Sequence, residues 1–584
     1  MPLTQQSTVG GQFLTTSIGP DDVFTREDLT DEQRLFGRAA AEFMRGEVLP
    51  REARLYAHDW DLTRELLRKA GDLDLLRLEI PEAYGGLGLD KISSAYVAES
   101  IALNPSFGGS LGAHTAIGTL PLVYFGNDEQ KAKYLPRLAS GEMVAAYALT
   151  EPQSGSDALA AKTTATLTAD GKHYVLNGQK MWITNGGFAD LFTIFAKIDG
   201  DKFTAFLVER SMGVVSGSDE KKLGLDGSST TALMLDSVKV PVENVLGKIG
   251  EGHKVAFNIL NFGRVKLGAR NMACAKIALG NAVVYAKERR QFGRAISEFG
   301  LIKRKIAEMS VRCYVGDAMT YRTLGDVDRA LEAVNPSDNT GILKAIEGFA
   351  VECSINKVYT SEALAYVVDE ALQVFGGNGY SREFPAERAY RDARITRIYE
   401  GTNEINRLII PTRLLKQGLG TRDSRLVGTS DRPAATGKKV SSVLAAECSL
   451  LDAAKRLALG LLSEAAAAYG EGVKEEQEVI ADIADIIIDI YAVESAIARA
   501  EKISASRGTN AAGVALDATR VFATDAGDRM TRSARQIARA LATKGHGHSI
   551  SSLRAPLAGF EGIDGIAARR RIADAVTTAG KYPL

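Results

Sequence analysis

The chain has 584 residues, of which 45% are hydrophobic and 24% charged, and its formal net charge is -1. This length exceeds what one hydrophobic core can organise, so we expect about three or four domains. A net charge near zero gives no electrostatic reason for non-specific binding to nucleic acid or to anionic lipid.

The first 25 residues form a polar arm without the basic start and apolar core of a signal peptide. The nearest candidate for a membrane span, residues 479–493, is shorter than the roughly 20 residues that cross a bilayer and contains three aspartates. The cysteines lie far apart and form no Cys-x-x-Cys pair, which predicts buried free thiols in a reducing compartment. They are Cys274, Cys313, Cys353 and Cys448. We therefore expect a cytoplasmic protein.

Changes in the hydrophobic pattern predict the domains. Residues 26–143 place apolar side chains such as Leu66 and Leu67 at helical spacing, which predicts an N-terminal α-helical domain. Residues 144–251 contain short alternating or β-branched runs, such as 203–208, between Gly, Asp and Asn. This pattern predicts a middle β domain, folded as a barrel or a sandwich.

Helical periodicity returns in residues 252–420 and predicts a four-helix-bundle domain. Residues 421–439 are short of large apolar side chains and have the composition of a linker. Residues 440–584 are Ala-rich and predict an extra C-terminal α-helical domain. One helix of this domain has an apolar face, which we interpret as core rather than lipid contact. The face consists of Val479, Ile480, Ile483, Ile486, Ile487 and Ile490.

Three segments carry residue types suited to a flat, phosphate-bearing molecule. YALTEPQSGSD, residues 147–157, ends a strand in a loop that offers backbone N–H groups and hydroxyls, although most Ser-Gly loops are simple turns. Trp182 beside Thr184 suits the face and edge of a ring system, although a core Trp is the commoner case. ERRQFG, residues 288–293, ends a helical run, and a C-cap with basic residues near the helix dipole explains it equally well.

Glu400 is the candidate catalytic base. It lies beside Gly-Thr in IYEGTNEINR, residues 398–407, after the Gly-rich turn at 376–379. A carboxylate in this position can remove a weakly acidic proton if other residues bury it and hold the substrate against it. On its own, a carboxylate before Gly-Thr is more often a solvated turn residue.

Taken together and in this order, the segments resemble the acyl-CoA dehydrogenase family over residues 24–415. The matching stretches are PEAYGGLGLD, YALTEPQSGSDA, LNGQKMWITNGG, ERRQFG, QVFGGNGY and IYEGTNEINR. LGAHTAIG, ILNFGR and FGLIKRKIAEM are similar to the very-long-chain branch of that family, as is a domain beyond the usual three. The resemblance implies an N-terminal helical domain, a middle β domain and a four-helix bundle, plus this extra helical domain.

The resemblance also implies a reaction and a cofactor. A fatty acyl thioester loses its pro-R α-proton to a carboxylate and its β-hydrogen, as hydride, to FAD, which gives a trans-2-enoyl-CoA. In the family the thioester oxygen accepts hydrogen bonds from the flavin ribityl group and from the backbone N–H of the catalytic glutamate. Glu400 matches that base.

Other site residues follow from the resemblance, position by position. Residues that should contact FAD of the same subunit are Tyr147, Leu149, Thr150, Gly155, Ser156, Trp182, Ile183, Thr184, Thr402, Asn403 and Glu404. Residues that should reach the FAD of a neighbouring subunit are Arg289, Gln291, Phe292, Gln373, Gly376 and Gly377. Residues that should contact the acyl-CoA are Ser156, Asn261, Arg264 and Gly401.

Three departures from family patterns are informative. Some branches place the base at the position matched by Gly263, so Gly263 together with Glu400 indicates the base location. Gly300 stands where several shorter-chain members have a cofactor-binding Gln, a change that the very-long-chain branch shares. Glu404 stands where many family members have an amide or Asp. A glutamate near the negatively charged cofactor phosphates is not what the chemistry would favour, so the role of Glu404 stays open.

The expected substrate is a long to very-long-chain saturated acyl-CoA. Small residues cluster in the helix that should line an acyl tunnel, although close helix packing through glycine explains them equally well. They are Gly108, Gly109, Gly112, Ala113 and Gly118. The resemblance further implies fatty acid β-oxidation, transfer of electrons to an electron-transfer flavoprotein, and a homodimer.

Two other functions stay open. An acyl-CoA oxidase would use the same residues and let oxygen reach the reduced flavin. A non-catalytic relative of the very-long-chain enzymes serves as an assembly factor for respiratory complex I and keeps its base. We expect no metal site, since the His546 and His548 pair has no nearby Cys and is interpreted as a loop. Membrane association lacks support because the linker carries no basic amphipathic stripe.

Overall fold

The computed structural model describes residues 10–335, 338–419, 443–547 and 550–584. The chain divides into two compact units. We call Thr30–Ala273 with Val334–Glu347 the sheet unit. The described residues of Met1–Leu29, Cys274–Ala333 and Gly348–Leu584 form the bundle unit. The predicted linker at 421–439 and His548 lie outside the described residues.

The sheet unit begins with helices whose starts are fixed by side-chain caps. Thr30 and Gln33 form a reciprocal capping box at the first helix, and the Asp59 carboxylate accepts a hydrogen bond from Leu62 N–H at 2.9 Å. The helices are α1 (Asp31–Phe43), α2 (Glu52–Tyr56), α3 (Trp60–Asp72), α4 (Lys91–Ser100), α5 (Pro105–Gly112), α6 (Leu120–Phe125) and α7 (Asp128–Ala139). A π-helical turn, Ala113–Gly118, follows α5.

The predicted β pattern is confirmed. The strands are β1 (Ala145–Ala148), β2 (Thr164–Leu167), β3 (His173–Thr184), β4 (Leu191–Ile198), β5 (Lys202–Glu209), β6 (Val215–Asp219), β7 (Thr230–Pro241) and β8 (Val245–Leu246). They form one sheet in the order β6-β7-β3-β2-β4-β5-β8, with β1 parallel to β4. Buried side chains of the helices and the strands, such as Phe107 and Phe192, belong to one hydrophobic core.

The bundle unit is built from long helices. In chain order the remaining elements are α8 (Gly252–Glu288), β9 (Arg290–Gln291), β10 (Arg294–Ala295), α9 (Gly300–Glu332), α10 (Asn339–Gly348), α11 (Ala350–Phe375), α12 (Pro385–Ala393), α13 (Asn403–Lys416), α14 (Ala445–Tyr469), α15 (Gln477–Arg507), α16 (Gly513–Ala542), α17 (Ile550–Ala558) and α18 (Gly565–Ala579). Helices α8 and α10 contribute residues to both units.

The C-terminal helices pack directly on the predicted four-helix bundle. Helix α15 contacts α9 and α13, and α18 contacts α9. The apolar face predicted for residues 479–490 is buried, as expected for core, with Ile480 and Ile483 at 0% exposure. Among the described residues no helix is both long and apolar enough to cross a membrane.

The N-terminal segment is more ordered than the predicted polar arm. From residue 10 onward it packs in the bundle unit, where Phe13 and Val23 are buried. Glu27 forms an ion pair with the fully buried Arg499 at 2.9 Å, and Lys502 donates to the carbonyl of Val23 at 2.7 Å. The segment thus anchors on α15, almost 500 positions away in sequence.

The cysteines are free thiols, as predicted. Their burial differs from the expectation, because only Cys313 and Cys353 are buried, whereas Cys274 and Cys448 are half-buried.

Candidate active site

The predicted site residues divide between the units. The bundle unit holds Glu400 and the residues that follow it, together with the segments at 289–292 and 373–377. The sheet unit holds residues 147–156, 182–184, Asn261 and Arg264. Each group has its own geometry.

Glu400 lies in a tight turn before α13. Glu400 and Gly401 both have positive φ, 58° and 79°, a left-handed conformation that is costly for a glutamate. Thr402 caps the helix, since its hydroxyl accepts a hydrogen bond from Ile405 N–H at 3.2 Å. The Asn406 amide donates to the carbonyls of Gly401 at 2.8 Å and Thr402 at 3.0 Å. The turn that presents Glu400 is therefore held by side chains of its own motif.

The first turn of α13 is fixed to α11. Asn403 is buried, and its side-chain oxygen accepts a hydrogen bond from the fully buried Lys357 at 2.6 Å. Its amide nitrogen donates to Ser361 at 3.0 Å and to Glu362 at 2.9 Å. The Asn403 side chain is thus bonded inside the bundle unit, and its contact with a cofactor stays a prediction.

Glu404 is exposed at the start of α13. A hydrogen bond from its own backbone N–H, with a further one from Thr402, lowers the pKa of the Glu404 carboxyl below its usual value. The carboxylate is consequently ionised at neutral pH and bonded locally at the helix N-terminus.

In the sheet unit, residues 147–157 form a strand end and a closed loop. Glu151 and Ser154 exchange backbone hydrogen bonds of 3.0 and 3.1 Å, and the Ser154 hydroxyl donates to the carbonyl of Asp157 at 2.7 Å. These bonds leave Gly155 and Ser156 exposed at the tip. A Cβ built on Gly155 has no atom within 4 Å, so the tip borders open space.

The structure joins this loop to the second predicted cofactor segment. Met181 N–H donates to the carbonyl of Thr150 at 2.8 Å. The Lys180 ammonium donates to Glu151 at 2.6 Å and to the carbonyl of Leu149 at 3.4 Å. Segments 30 positions apart in sequence are therefore neighbours, as a shared ligand site requires.

The Lys180 and Glu151 ion pair is fully buried. Lys180 is 0% exposed and Glu151 is 3% exposed. Burial acts to raise the pKa of Glu151, but the Lys180 charge and several hydrogen bonds outweigh it and hold the pKa below its usual value. Burial lowers the pKa of Lys180, with Glu151 opposing the shift.

The indole of Trp182, two residues after Lys180, is exposed to solvent. Trp182 has φ 62° and is 54% exposed, whereas the next residue, Ile183, is buried. A register shift between Lys180 and Ile183 on β3 accommodates the irregular backbone. Thr150 and Thr184 are half-buried, so their hydroxyls lie at the boundary of the fold. The alternative of a core tryptophan is wrong for Trp182.

Two further predicted cofactor segments meet in the bundle unit. Residues 290–295 form a two-residue hairpin, with Phe292 and Gly293 at positive φ, 51° and 83°, rather than a simple C-cap. Tyr285, one turn earlier, stacks on Phe375 with ring centroids 4.3 Å apart and accepts a hydrogen bond from Asn378 at 3.0 Å. The last turns of α8, which lead into the hairpin, therefore contact the Gly-rich turn after α11.

The surface formed by these segments is open. Arg289, Gln291, Gln373, Gly376 and Gly377 are exposed. A Cβ built on either glycine has no atom within 4 Å. The Phe292 ring is 93% exposed, which is unusual for so large an apolar side chain.

The predicted acyl-CoA contacts on α8 are adjacent. Arg264 donates to the Asn261 side chain at 3.0 Å, and both residues are buried. Gly263, which replaces a carboxylate of other branches, lies between them on the helix.

The small residues of the α5 region separate into two groups. A Cβ on Gly108 would lie 2.9 Å from the carbonyl oxygen of Ile101, and one on Gly118 would lie 2.9 Å from Ala145 Cβ, so both are packing glycines. Gly109 and Gly112 are half-buried, and their nearest neighbour is the Arg270 guanidinium, 3.9 and 3.8 Å from a built Cβ. The second pair is therefore not required by backbone packing. Ala113, the fifth small residue of the prediction, is half-buried.

Sequence reasoning missed several residues that hold the site. Asn406, Lys357, Glu151 and Lys180 carry the bonds described above, and none of them was predicted. Asn406, Glu151 and Lys180 lie within the recognised motifs, where a polar residue close to the predicted site was an available signal. Lys357 offered none, because its partner lies 46 positions away.

Comparison with known proteins gives consistent matches. Family models described as the N-terminal, middle and C-terminal domains of acyl-CoA dehydrogenase match residues 30–142, 146–238 and 250–415. A further model, described as an acyl-CoA dehydrogenase C-terminal domain, matches residues 453–550. These matches follow the predicted order of helical, β, helical and extra helical domains.

Similar proteins carry corresponding names. A probable acyl-CoA dehydrogenase of Bacillus subtilis is 45% identical over 90% of both chains. The mitochondrial very long-chain specific acyl-CoA dehydrogenase of Rattus norvegicus is 36% identical over 75% of this chain and 70% of its own. A crystal structure of an acyl-CoA dehydrogenase complexed with FAD, from Bacillus anthracis, superposes with a TM-score of 0.94 at 42% identity, over 99% of this chain and 100% of that one.

Proposed function

Because this chain belongs to the acyl-CoA dehydrogenase family, we propose that it oxidises long to very-long-chain acyl-CoA to trans-2-enoyl-CoA with FAD as cofactor. The observation that carries this proposal is the Glu400 turn. A glutamate is held there in a left-handed conformation at the entrance of α13 by a cap and by the Asn406 amide. Such a turn has a cost and persists only where the surroundings enforce it.

Glu400 is the proposed general base, which removes the pro-R α-proton of the thioester. Its turn fixes the backbone, so the carboxylate approaches the substrate from a defined direction. We propose that the backbone N–H of Glu400 donates a hydrogen bond to the thioester oxygen and stabilises the enolate that forms. The proposed contacts for the acyl-CoA substrate are Asn261, Arg264, Gly401 and Ser156.

The sheet unit suits FAD. An exposed indole, the hydroxyls of Thr150 and Thr184, and the open tip at Gly155 and Ser156 match a flat ring with a polar edge. When bound, FAD supplies the acceptor for the β-hydride of the substrate. Three further residues of the same segments are buried and are also proposed contacts of FAD, namely Tyr147, Leu149 and Ile183.

We further propose a homodimer in which the hairpin at 290–295 and the turn at 376–380 meet a second copy of the chain. The exposure of Phe292 at 93% and Tyr380 at 87% supports this, since large apolar side chains on a surface mark contacts. Sedimentation velocity should give the mass of two chains, and a tetramer would contradict the proposal.

The long-chain preference rests on Gly109 and Gly112. A Cβ at either position would meet no backbone and would be in ordinary contact with the end of the flexible Arg270 side chain, so we propose that an acyl chain passes here when that side chain moves. The match to very-long-chain relatives supports the same preference. We propose fatty acid β-oxidation as the process and an electron-transfer flavoprotein as the electron acceptor. The four free thiols support a reducing, cytoplasmic location.

The test is anaerobic addition of butyryl-, octanoyl- and palmitoyl-CoA to the purified protein, followed by flavin absorbance. We expect bleaching, most efficient with palmitoyl-CoA, and no formation of hydrogen peroxide in step with turnover when air is admitted. Peroxide in step with turnover would favour the oxidase. A protein without FAD, or one that palmitoyl-CoA fails to bleach, would favour the complex I assembly factor.

Replacing Glu400 with Gln tests the base directly. We expect Glu400→Gln to bind FAD and acyl-CoA but to be reduced about 10²–10⁴-fold more slowly, because a general base contributes that much. Glu383→Gln is the matched control, since Glu383 is an exposed glutamate of the same unit. Reduction of Glu400→Gln at a rate near that of the control would refute the assignment.

A further inference from the structure

We propose that the extra C-terminal domain positions the catalytic turn, through an ion pair between Asp485 on α15 and Arg407 on α13. This inference rests on the proposed function, because it concerns how Glu400 is held. It gives the C-terminal helices a part in the reaction.

Arg407 is the centre of the connection. Its Nε donates to Asp485 at 2.7 Å, while its two terminal nitrogens donate to the two carboxylate oxygens of Glu362 at 2.7 and 3.0 Å. The three guanidinium nitrogens of Arg407 therefore link α13 to two helices, two of them to α11 and one to α15. The planar fork to Glu362 fixes the orientation of the guanidinium. The single Nε bond to Asp485 then ties the oriented group to α15.

The connection continues toward the base. The same Glu362 oxygen that accepts from Arg407 also accepts from the amide of Asn403 at 2.9 Å. Asn403 is the first residue of α13 and follows the Thr402 cap directly. Asn406, the neighbour of Arg407, donates to the carbonyls of Gly401 and Thr402. Asn406, which bonds the Glu400 turn, is thus next to Arg407 in sequence, and Asn403, which fixes the first turn of α13, is linked to Arg407 through Glu362.

The Arg407 and Asp485 pair adds little to the free energy of unfolding, and we expect it to act through the position that it gives to α13. Asp485 is 45% exposed and Arg407 is 18% exposed at their side chains, so the pair contributes little to global stability. A displacement of about 1 Å in a catalytic group, however, can lower a rate about 10²-fold. We therefore expect loss of the pair to affect the reaction much more than the melting temperature.

Helix α15 provides a matched control one turn further along. Asp489 receives two hydrogen bonds from Arg529 of α16, at 2.7 and 3.1 Å. Asp489 is more buried than Asp485, 11% against 45% exposed at the side chain. Neutralising Asp489 removes an ion pair of the same kind on the same helix without touching α13.

The experiment compares the Asp485→Asn and Asp489→Asn variants of the full-length, FAD-loaded protein. Anaerobic stopped flow with saturating palmitoyl-CoA gives the limiting rate of flavin reduction, and hydrogen exchange gives the protection of residues 398–406. For Asp485→Asn we expect a limiting rate about 10–100-fold lower, faster exchange in 398–406, and a KM within about threefold of the wild type. Asp485→Glu should restore most of the rate, and Asp489→Asn should leave the rate and this exchange unchanged.

The proposal is overturned if Asp485→Asn reduces and exchanges like the wild type, or if Asp489→Asn shows the same loss. Arg407→Lys gives an independent check, because lysine keeps the charge but lacks the planar fork that pairs with both oxygens of Glu362. Its rate should fall as well. Failure of the proposed function gives a different result, namely no bleaching of the wild type by any acyl-CoA, and the exchange measurement then still reports on the connection.

Discussion

Replacing Lys180 with Met removes the cation from the buried pair that joins the two cofactor segments of the sheet unit. Lys180 is 0% exposed, so no water can take over the role of the ammonium beside Glu151. Breaking a buried ion pair by removing one partner costs about 3–5 kcal/mol, because the remaining charge stays buried and uncompensated.

The remaining hydrogen bonds place the expected cost at the lower end of that range. Without Lys180, the Glu151 carboxylate still accepts from Thr163 Oγ1 at 2.5 Å and from the backbone N–H groups of Lys162 at 2.6 Å and Thr163 at 3.1 Å. Gln153 adds a side-chain donor at 3.1 Å. We therefore expect a loss of about 3 kcal/mol, concentrated where residues 149–151 meet residues 180–181.

If that loss releases the loop in the apoprotein, FAD must order it again on binding. About 3 kcal/mol corresponds to a roughly 150-fold weaker Kd for FAD. The assay is titration of apoprotein with FAD, followed by quenching of flavin fluorescence. Lys172→Met is the control, because Lys172 is an exposed lysine next to the same strand.

A Lys180→Met protein that binds FAD within about threefold of the control would refute this reasoning. The double variant Glu151→Gln/Lys180→Met sharpens the test, because it removes both charges and leaves none unpaired. It should bind FAD more tightly than Lys180→Met alone. Weaker binding by the double variant would mean that shape, not charge, holds the loop.

Two further predictions concern other parts of the chain. Burial raises the pKa of Glu352 to about 7, so its folded form keeps a proton that the unfolded form loses near pH 4.5, and stability falls as the pH rises from about 4.5 through 7. The free energy of unfolding of Glu352→Gln should therefore match that of the wild type within about 1 kcal/mol at pH 5 and exceed it by about 3 kcal/mol at pH 8. Chemical denaturation of both proteins at both pH values measures this difference. An equal difference at the two pH values would contradict the prediction. Gly112→Leu should lower the ratio of kcat/KM for palmitoyl-CoA to that for octanoyl-CoA by about tenfold or more, since a methylene contact is worth about 1 kcal/mol or more. Gly46→Leu, at an exposed position with no atom within 4 Å, should leave that ratio unchanged, and a similar drop there would contradict the channel assignment.

Local patterns in the sequence were sufficient for the architecture. The run at 203–208 lies within β5, and the apolar face at 479–490 is buried on α15. These features depend on neighbours in sequence, because alternation and helical spacing are properties of one element. The order of helical and β regions could be predicted from the sequence for the same reason.

Features that depend on distant partners were not predictable. Residues 1–25 were predicted as a polar arm, yet the carbonyl of Val23 accepts a hydrogen bond from Lys502, 479 positions away in sequence. Asn403 was assigned to a cofactor from its motif, and the structure shows its amide bonded to α11. A polar residue carries no local sign of whether its partner is a ligand, water or another helix.

Backbone strain marks the same segments that the motifs marked. Among the described residues, the large side chains with positive φ are His58, Trp182, Leu225, Phe292 and Glu400, and three of these five lie in predicted cofactor or base segments. The left-handed turns at Phe292 and Glu400 are each followed by a glycine, and a short polar residue would fit the first position better. A phenyl ring or a glutamate is retained there at a cost of about 1–3 kcal/mol each. At Glu400 that cost is offset by local bonds such as those of Asn406, which hold the glutamate in the conformation that the proposed reaction uses.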